Sequence, residues 1–239
     1  MTTERLPIFP LGQVLFPGLV LPLHIFEERY RRLAADLLAA PEPRRFGVVA
    51  IRDGREVAPT GAPGLDASGA MAGLGADPMQ SLYGVGCVAE VATIREQPEG
   101  GYDLLATGTT RFRVISVDAG GPYLTAEVEP LPEPSPPEAH SLSAGVARAF
   151  RTYQKRLAGA RESSLAESQE LPDDPTVLSY LIAAASVLEV PVKQRLLAEP
   201  GAAERLRTEL TLLRREAAVL RKLPSLPAVE LTRQAFSPN

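Results

Sequence analysis

The segment Gly84-Val85-Gly86-Cys87-Val88-Ala89 fits the G-x-G-x-x-[GA] pattern of dinucleotide-binding turns. That chemistry needs a strand before the glycines and a helix after them, so that the helix N-terminus meets a pyrophosphate. Here the following residues alternate like a strand, and Gln80-Ser81-Leu82 ahead of them is no buried strand. The glycines are therefore read as a tight start to a strand. A P-loop is excluded because the Gly61–Gly75 stretch holds no lysine. No G-x-S-x-G occurs, and Lys155, Lys193 and Lys222 all fall in helical segments without a serine at triad-like spacing. One cysteine (Cys87), two separated histidines and no acidic calcium-type loop give no metal site and imply no cofactor.

Three further groups call for a reading. His24 lies in an apolar strand and is expected to be a hydrogen-bonded core histidine; His140 sits beside a proline-rich segment and is expected in solvent. On the last helix Arg205, Arg207, Arg214, Arg215, Arg221 and Lys222 outnumber Glu204, Glu209 and Glu216. They are read as the solvated face opposite a leucine stripe. The glycine-rich stretch 59–81 carries Met71, Leu74 and Met79, an adaptable apolar set of the kind that contacts polypeptides. Set against that, a stretch of this length and composition also reads as a tolerated insertion.

The elements that would position these residues divide at Pro130–Pro137, where five of eight residues are proline. That composition makes a semi-rigid extended connection. It separates a β domain at 1–130 from a helical bundle with a C-terminal tail at 138–239. In the first part Leu6–Leu11, Leu19–Ile25, Phe46–Ile51, Val85–Ile94, Tyr102–Val117 and Tyr123–Val128 read as strands, the first two placed by their prolines at sheet edges or strand starts. Within the fourth, Cys87, Ala89 and Val91 are assigned to one face, Val88 and Ile94 to the other. One helix begins at Phe26 and runs through Tyr30, Leu33, Leu37 and Leu38 to the stop at Pro41. Six short strands and one helix make a small bent sheet or open barrel.

In the second part the apolar positions from Leu142 to Leu157 step by three and four. A second helix opens at Asp173-Asp174-Pro175, a third at Pro191, and a long last one runs from about Ala203 to Leu223.

Composition narrows the function. Of 239 residues 45% are apolar and 23% charged, so a core is feasible. The net charge of −4, with −5 carried by residues 1–130, is the wrong sign for a phosphate-binding surface, which argues against nucleic acid. The longest apolar run, Val14–Phe26, is too short and too broken to span a bilayer. A soluble cytoplasmic protein is the expectation, which a single cysteine suits.

Leu6-Pro-Ile-Phe-Pro-Leu-Gly-Gln-Val-Leu-Phe-Pro-Gly18, then Leu21-Pro-Leu-His-Ile-Phe-Glu-Glu-Arg-Tyr30, resembles the opening of the Lon protease N-terminal (substrate-binding) domain family. Tyr83–Val91, Gly108–Val114 and the helical Lys193–Leu197 and Arg205-Leu206 are similar to its later motifs. The resemblance implies an α+β fold: a PUA-like pseudo-β-barrel with one helix, followed by a helical bundle ending in a long helix. It also implies recognition of unfolded polypeptide or a protein partner, without the AAA+ and Ser-Lys protease domains that do the chemistry in full-length Lon. An RNA-binding PUA-like protein and a small-ligand-binding barrel are the alternatives.

Overall fold

The computed structural model describes residues 3–52, 77–98, 100–160 and 170–222. The β half contains β1 (Glu4–Leu11), β2 (Val20–Ile25), α1 (Glu28–Ala39), β3 (Arg45–Ala50), α2 (Pro78–Ser81), β4 (Val85–Glu96), β5 (Tyr102–Asp118) and β6 (Thr125–Pro130). The helical half contains α3 (Pro137–Ala160), α4 (Pro175–Ala185), α5 (Val190–Ala198) and α6 (Ala202–Lys222).

The strands form one sheet in the order β2-β5-β4-β3-β1-β6, and β5 also pairs with β6. That second pairing rolls the sheet into a pseudo-barrel. The long β5 makes it possible: its first half runs antiparallel to β2 and its second half to β6. The barrel closes at one end, where Glu4–Pro7 of β1 pair with Val128–Thr125 of β6. Beyond Pro7, the strand pairing of β1 among the described residues is with β3, the Ile8 N–H also donating to the Leu124 carbonyl, and a gap separates its second half from β2.

β3 is buried on both faces, as its apolar sequence requires. One face packs Phe46, Val48, Cys87 and Ala89 against Leu33, Ala34 and Leu37 of α1. The other packs Val49 and Val88 with Ile8, Phe112, Leu124 and Val128. The barrel wall explains the G-x-G motif: a Cβ on Gly86 would lie 2.5 Å from the Phe112 ring and 2.6 Å from the Val48 carbonyl oxygen. Gly86 is a packing residue. Cys87 is wholly buried, and burial pushes its thiol up to about 12.

Three local assignments change. Ile94 shares the core face with Cys87 and Ala89, because a register shift between Val91 and Thr93 turns the strand over by one residue. Phe26 precedes α1 and is 65% exposed, and Leu38 also faces solvent. The predicted cap of α4 is present: Asp174 Oδ1 accepts from the N–H groups of Thr176 and Val177, with Pro175 at the first turn.

The largest departure lies on α6. Its apolar face packs Leu206, Leu213 and Ala217 against Phe150 and Tyr153 of α3 and Leu178 and Ile182 of α4. Arg205, expected in solvent, is fully buried. Its Nε donates to the Leu196 carbonyl, Nη1 to Ser179 Oγ, and its guanidinium lies 3.9 Å from the Tyr180 ring centroid. Both Nη atoms also donate to Glu133, in the proline-rich segment. The same carboxylate pairs with Arg111 of β5 at 2.6 Å and accepts from the Tyr180 hydroxyl. Arg111 further donates to the carbonyls of Pro132, Leu197, Glu199 and Pro200. Phe16, Tyr180, Ala183, Leu196 and Leu197 close over this network as an apolar cluster.

Glu209, one turn beyond Arg205, is buried too, and neither of its oxygens meets a donor among the described residues. Burial raises its carboxyl well above the ordinary range, against the opposing pull of Arg205.

Two predictions follow from this interior. Glu133→Ala leaves two buried guanidiniums without their carboxylate and should lower unfolding free energy by about 3–5 kcal/mol in denaturant titrations. Glu209→Gln should stabilise the protein selectively above the ordinary carboxylate pKa. A raised folded-state pKa gives stability that is complete at acid pH and is lost as pH rises toward that raised value. The melting temperatures of wild type and variant should therefore coincide near about pH 4 and diverge by about pH 7, the variant higher.

Candidate functional site

The gap between β1 and β2 is a groove of about 220 Å³. Phe9, Pro10 and Leu11 form one wall, Leu23, His24, Ile25 and Phe26 the other, and Glu27, Arg29 and Tyr30 close its end. Sequence fixes this shape locally. Pro22 has no N–H to add to a ladder, which suits β2 to the sheet edge it occupies. The apolar positions Leu21 and Ile25 turn into the core, leaving Val20, Pro22 and His24 outward.

The floor is rigid. Phe9 stacks on Tyr30 with ring centroids 4.1 Å apart, and the Arg29 guanidinium covers the same Tyr30 ring at 4.5 Å. Glu27 holds Arg29 through a 2.9 Å ion pair. Burial pushes the Tyr30 hydroxyl up to about 12. At the rim His24 is exposed, its Nδ1 2.8 Å from Asp103 Oδ1, and not in the core. The physical reason is strand parity: the edge position that turns Ile25 inward turns His24 outward.

Exposed apolar side chains collect around this edge. Val20 is 60% exposed and Phe26 65%, and Leu105, across from Pro22 on β5, also faces solvent. A second groove of about 350 Å³ lies between Leu19 and the helices, lined by Phe150, Arg151, Gln154, Leu181 and Ala184. It offers no strand edge, so its walls present side chains alone.

Of the residues expected to contact polypeptide, Met79 lies on α2, is exposed, and lines neither groove. Met71 and Leu74 fall outside the described residues. The groove takes its walls from β1 and β2 and its closed end from the start of α1. Its visible sequence sign is an uncharged strand, Val20-Leu-Pro-Leu-His-Ile25, with proline at its centre.

The site offers apolar surface and backbone hydrogen-bonding groups. Among the described residues no cluster of His, Cys, Asp and Glu could hold a metal ion, and no helix is long and apolar enough to cross a membrane. Phe46, Cys87 and Ala89 on one face of the sheet and Phe112 on the other have no exposed surface.

Comparison with known proteins agrees with the architecture. Lon protease 2 of Syntrophobacter fumaroxidans is 30% identical over 200 residues, covering 82% of this chain and 22% of the relative. Lon protease 2 of Myxococcus xanthus is 28% identical over 222 residues, covering 91% of this chain and 24% of the relative. The chain thus spans less than a quarter of the length of these curated relatives. Among solved structures, a Lon N-terminal domain protein from Xanthomonas campestris superposes with a TM-score of 0.56 at 22% identity, over 87% of this chain and 98% of that one. The N-terminal domain of a Mycobacterium avium complex Lon protease gives 0.58 at 18%, over 90% and 98%. The family model of the ATP-dependent protease La (Lon) substrate-binding domain matches residues 5–215, and with the pseudo-barrel and helical bundle already in place, the chain belongs to that family.

Proposed function

We propose that this protein is a non-enzymatic polypeptide-recognition module that binds unfolded chains or a protein partner in the cytoplasm, at the open end of its barrel. The observation that carries the reading is the β1–β2 groove: an apolar, rigid-floored cleft beside an uncharged edge strand, in a chain of the Lon substrate-binding family. Exposed apolar groups such as Val20 and Phe26 contribute affinity when they lose contact with water. The absence of a P-loop lysine and of a nucleophile motif from these 239 residues supports a role in binding. The division into a β domain at 1–130 and a helical domain at 138–239 belongs to the same proposal, as do contacts from Met71, Leu74 and Met79.

RNA is the weaker partner. Residues 1–130 carry a net −5, and the groove's charged groups, Glu27 and Arg29, are paired with each other.

Fluorescence anisotropy of a labelled, permanently unfolded polypeptide, titrated with the protein in the absence of nucleotide, tests the reading. Saturable binding of the unfolded chain and none of a folded control is expected. Phe26→Ser should weaken that binding about tenfold without moving the melting temperature, since the ring it removes is exposed. Val219→Ser, an exposed apolar position on α6, should leave affinity unchanged. Equal binding by wild type and Phe26→Ser would place recognition elsewhere.

A further inference from the structure

Resting on the polypeptide-recognition reading, we propose that the occupant of the β1–β2 groove is an extended polypeptide segment that adds as a strand to the free edge of β2, held by main-chain hydrogen bonds.

The edge is open by topology. β2 pairs only with β5, and the described residues place no strand on its other side. The Gly108 N–H donates to the Leu19 carbonyl, which sets the parity of the ladder. With a period of two and the register Leu21↔Ala106, Leu23↔Leu104 and Ile25↔Tyr102, the backbone groups of odd-numbered positions face β5. Those of Val20, Pro22 and His24 therefore point away from the sheet. They present three carbonyls and two N–H groups, since Pro22 has none. Natural edges are guarded by charges or by proline; Val20–Ile25 contains no Asp, Glu, Lys or Arg, and its one guard, Pro22, removes a single N–H from the free side.

The groove completes the fit. It lies on the free side of β2, since no β5 residue lines it. Successive side chains of an added strand point to opposite faces. One set would enter the groove over Phe9, Leu11 and Tyr30; the other would lie beside Val20 and Leu105 on the outer face. Main-chain pairing supplies affinity with little dependence on sequence, and the groove supplies a preference for apolar residues at every second position. Both properties suit unfolded chains of varied sequence.

A second copy of this chain is the poorer occupant. Any register that overlays the centres of two β2 strands brings Pro22 into the new ladder twice, whereas a foreign peptide meets it once.

The test uses the full chain and a soluble peptide alternating valine and threonine, flanked by lysines. Two derivatives carry backbone N-methyl groups on one or the other alternate set of amides. Strand addition requires that methylation of one set lowers affinity at least about tenfold while the other set has little effect. On the protein side, His24→Pro removes an outward N–H and should weaken binding about tenfold relative to His24→Ala, which keeps it. Both variants lose the Asp103 contact equally, and equal melting temperatures for the two would show that the proline ring leaves β2 in place, so that the main-chain donor accounts for their difference.

Equal tolerance of both methylated peptides, with normal binding of the parent, overturns strand addition and leaves side-chain docking in its place. No binding of the parent peptide or of an unfolded protein overturns the recognition reading itself. Sedimentation showing a dimer that His24→Pro dissociates would assign the edge to a second copy and overturn the proposal.

Discussion

A single carboxylate, Glu133, sits between two guanidiniums that belong to different halves of the molecule, Arg111 from β5 and Arg205 from α6. Both arginines are almost wholly buried, and moving a lone charged group out of water costs several kcal/mol. Their stability therefore depends on the carboxylate, the Ser179 hydroxyl and the carbonyls of Pro132, Leu196, Leu197, Glu199 and Pro200 all staying in place. These partners come from α4, α5, the turn between α5 and α6, and the proline-rich segment, so the geometry of one network fixes how the bundle sits on the barrel. Formal charge does not balance within it. Carbonyl dipoles and the Tyr180 ring face take up the remainder.

The consequence for the barrel is an asymmetry between its ends. The second half of β5 carries Arg111 and also pairs with β6, so the end nearest the bundle is closed and pinned. The first half of β5 pairs with β2, which has no second neighbour among the described residues. The rigid end anchors the open one, and the Phe9–Tyr30 stack under the groove keeps its floor from collapsing. A cleft bounded by strand edges on such a support can receive a chain with little reorganisation, which lowers the cost of binding.

Much of this architecture is legible in the sequence because it rests on local signals. Period-two alternation marks the strands, period-3.6 spacing marks the helices, and Asp174-Pro175 announces a helix start with its cap. Proline in Val20–Ile25 leaves a sheet edge or a strand start, and β2 takes the edge. What escapes is long-range. Arg205 adjoins Leu206 on the same broad helical face, and nothing local shows that Glu133, 72 residues away, waits to receive it. His24 reads as core because its neighbours are apolar, while the inward face is decided by pairing with β5. The register shift near Val91 likewise reverses Ile94 without a glycine or proline to signal it. Proline content conveys that 130–137 is stiff; it does not convey that its carbonyls bind Arg111 and Ala202.

Hydrogen–deuterium exchange with and without a saturating unfolded polypeptide reads the central claim at residue level. Binding at the open end predicts slowed exchange at Val20 and His24 and at the second half of β1, with the Arg111–Glu133–Arg205 region unchanged. Protection confined to the helical half, or no protection along β2 at saturation, would contradict it.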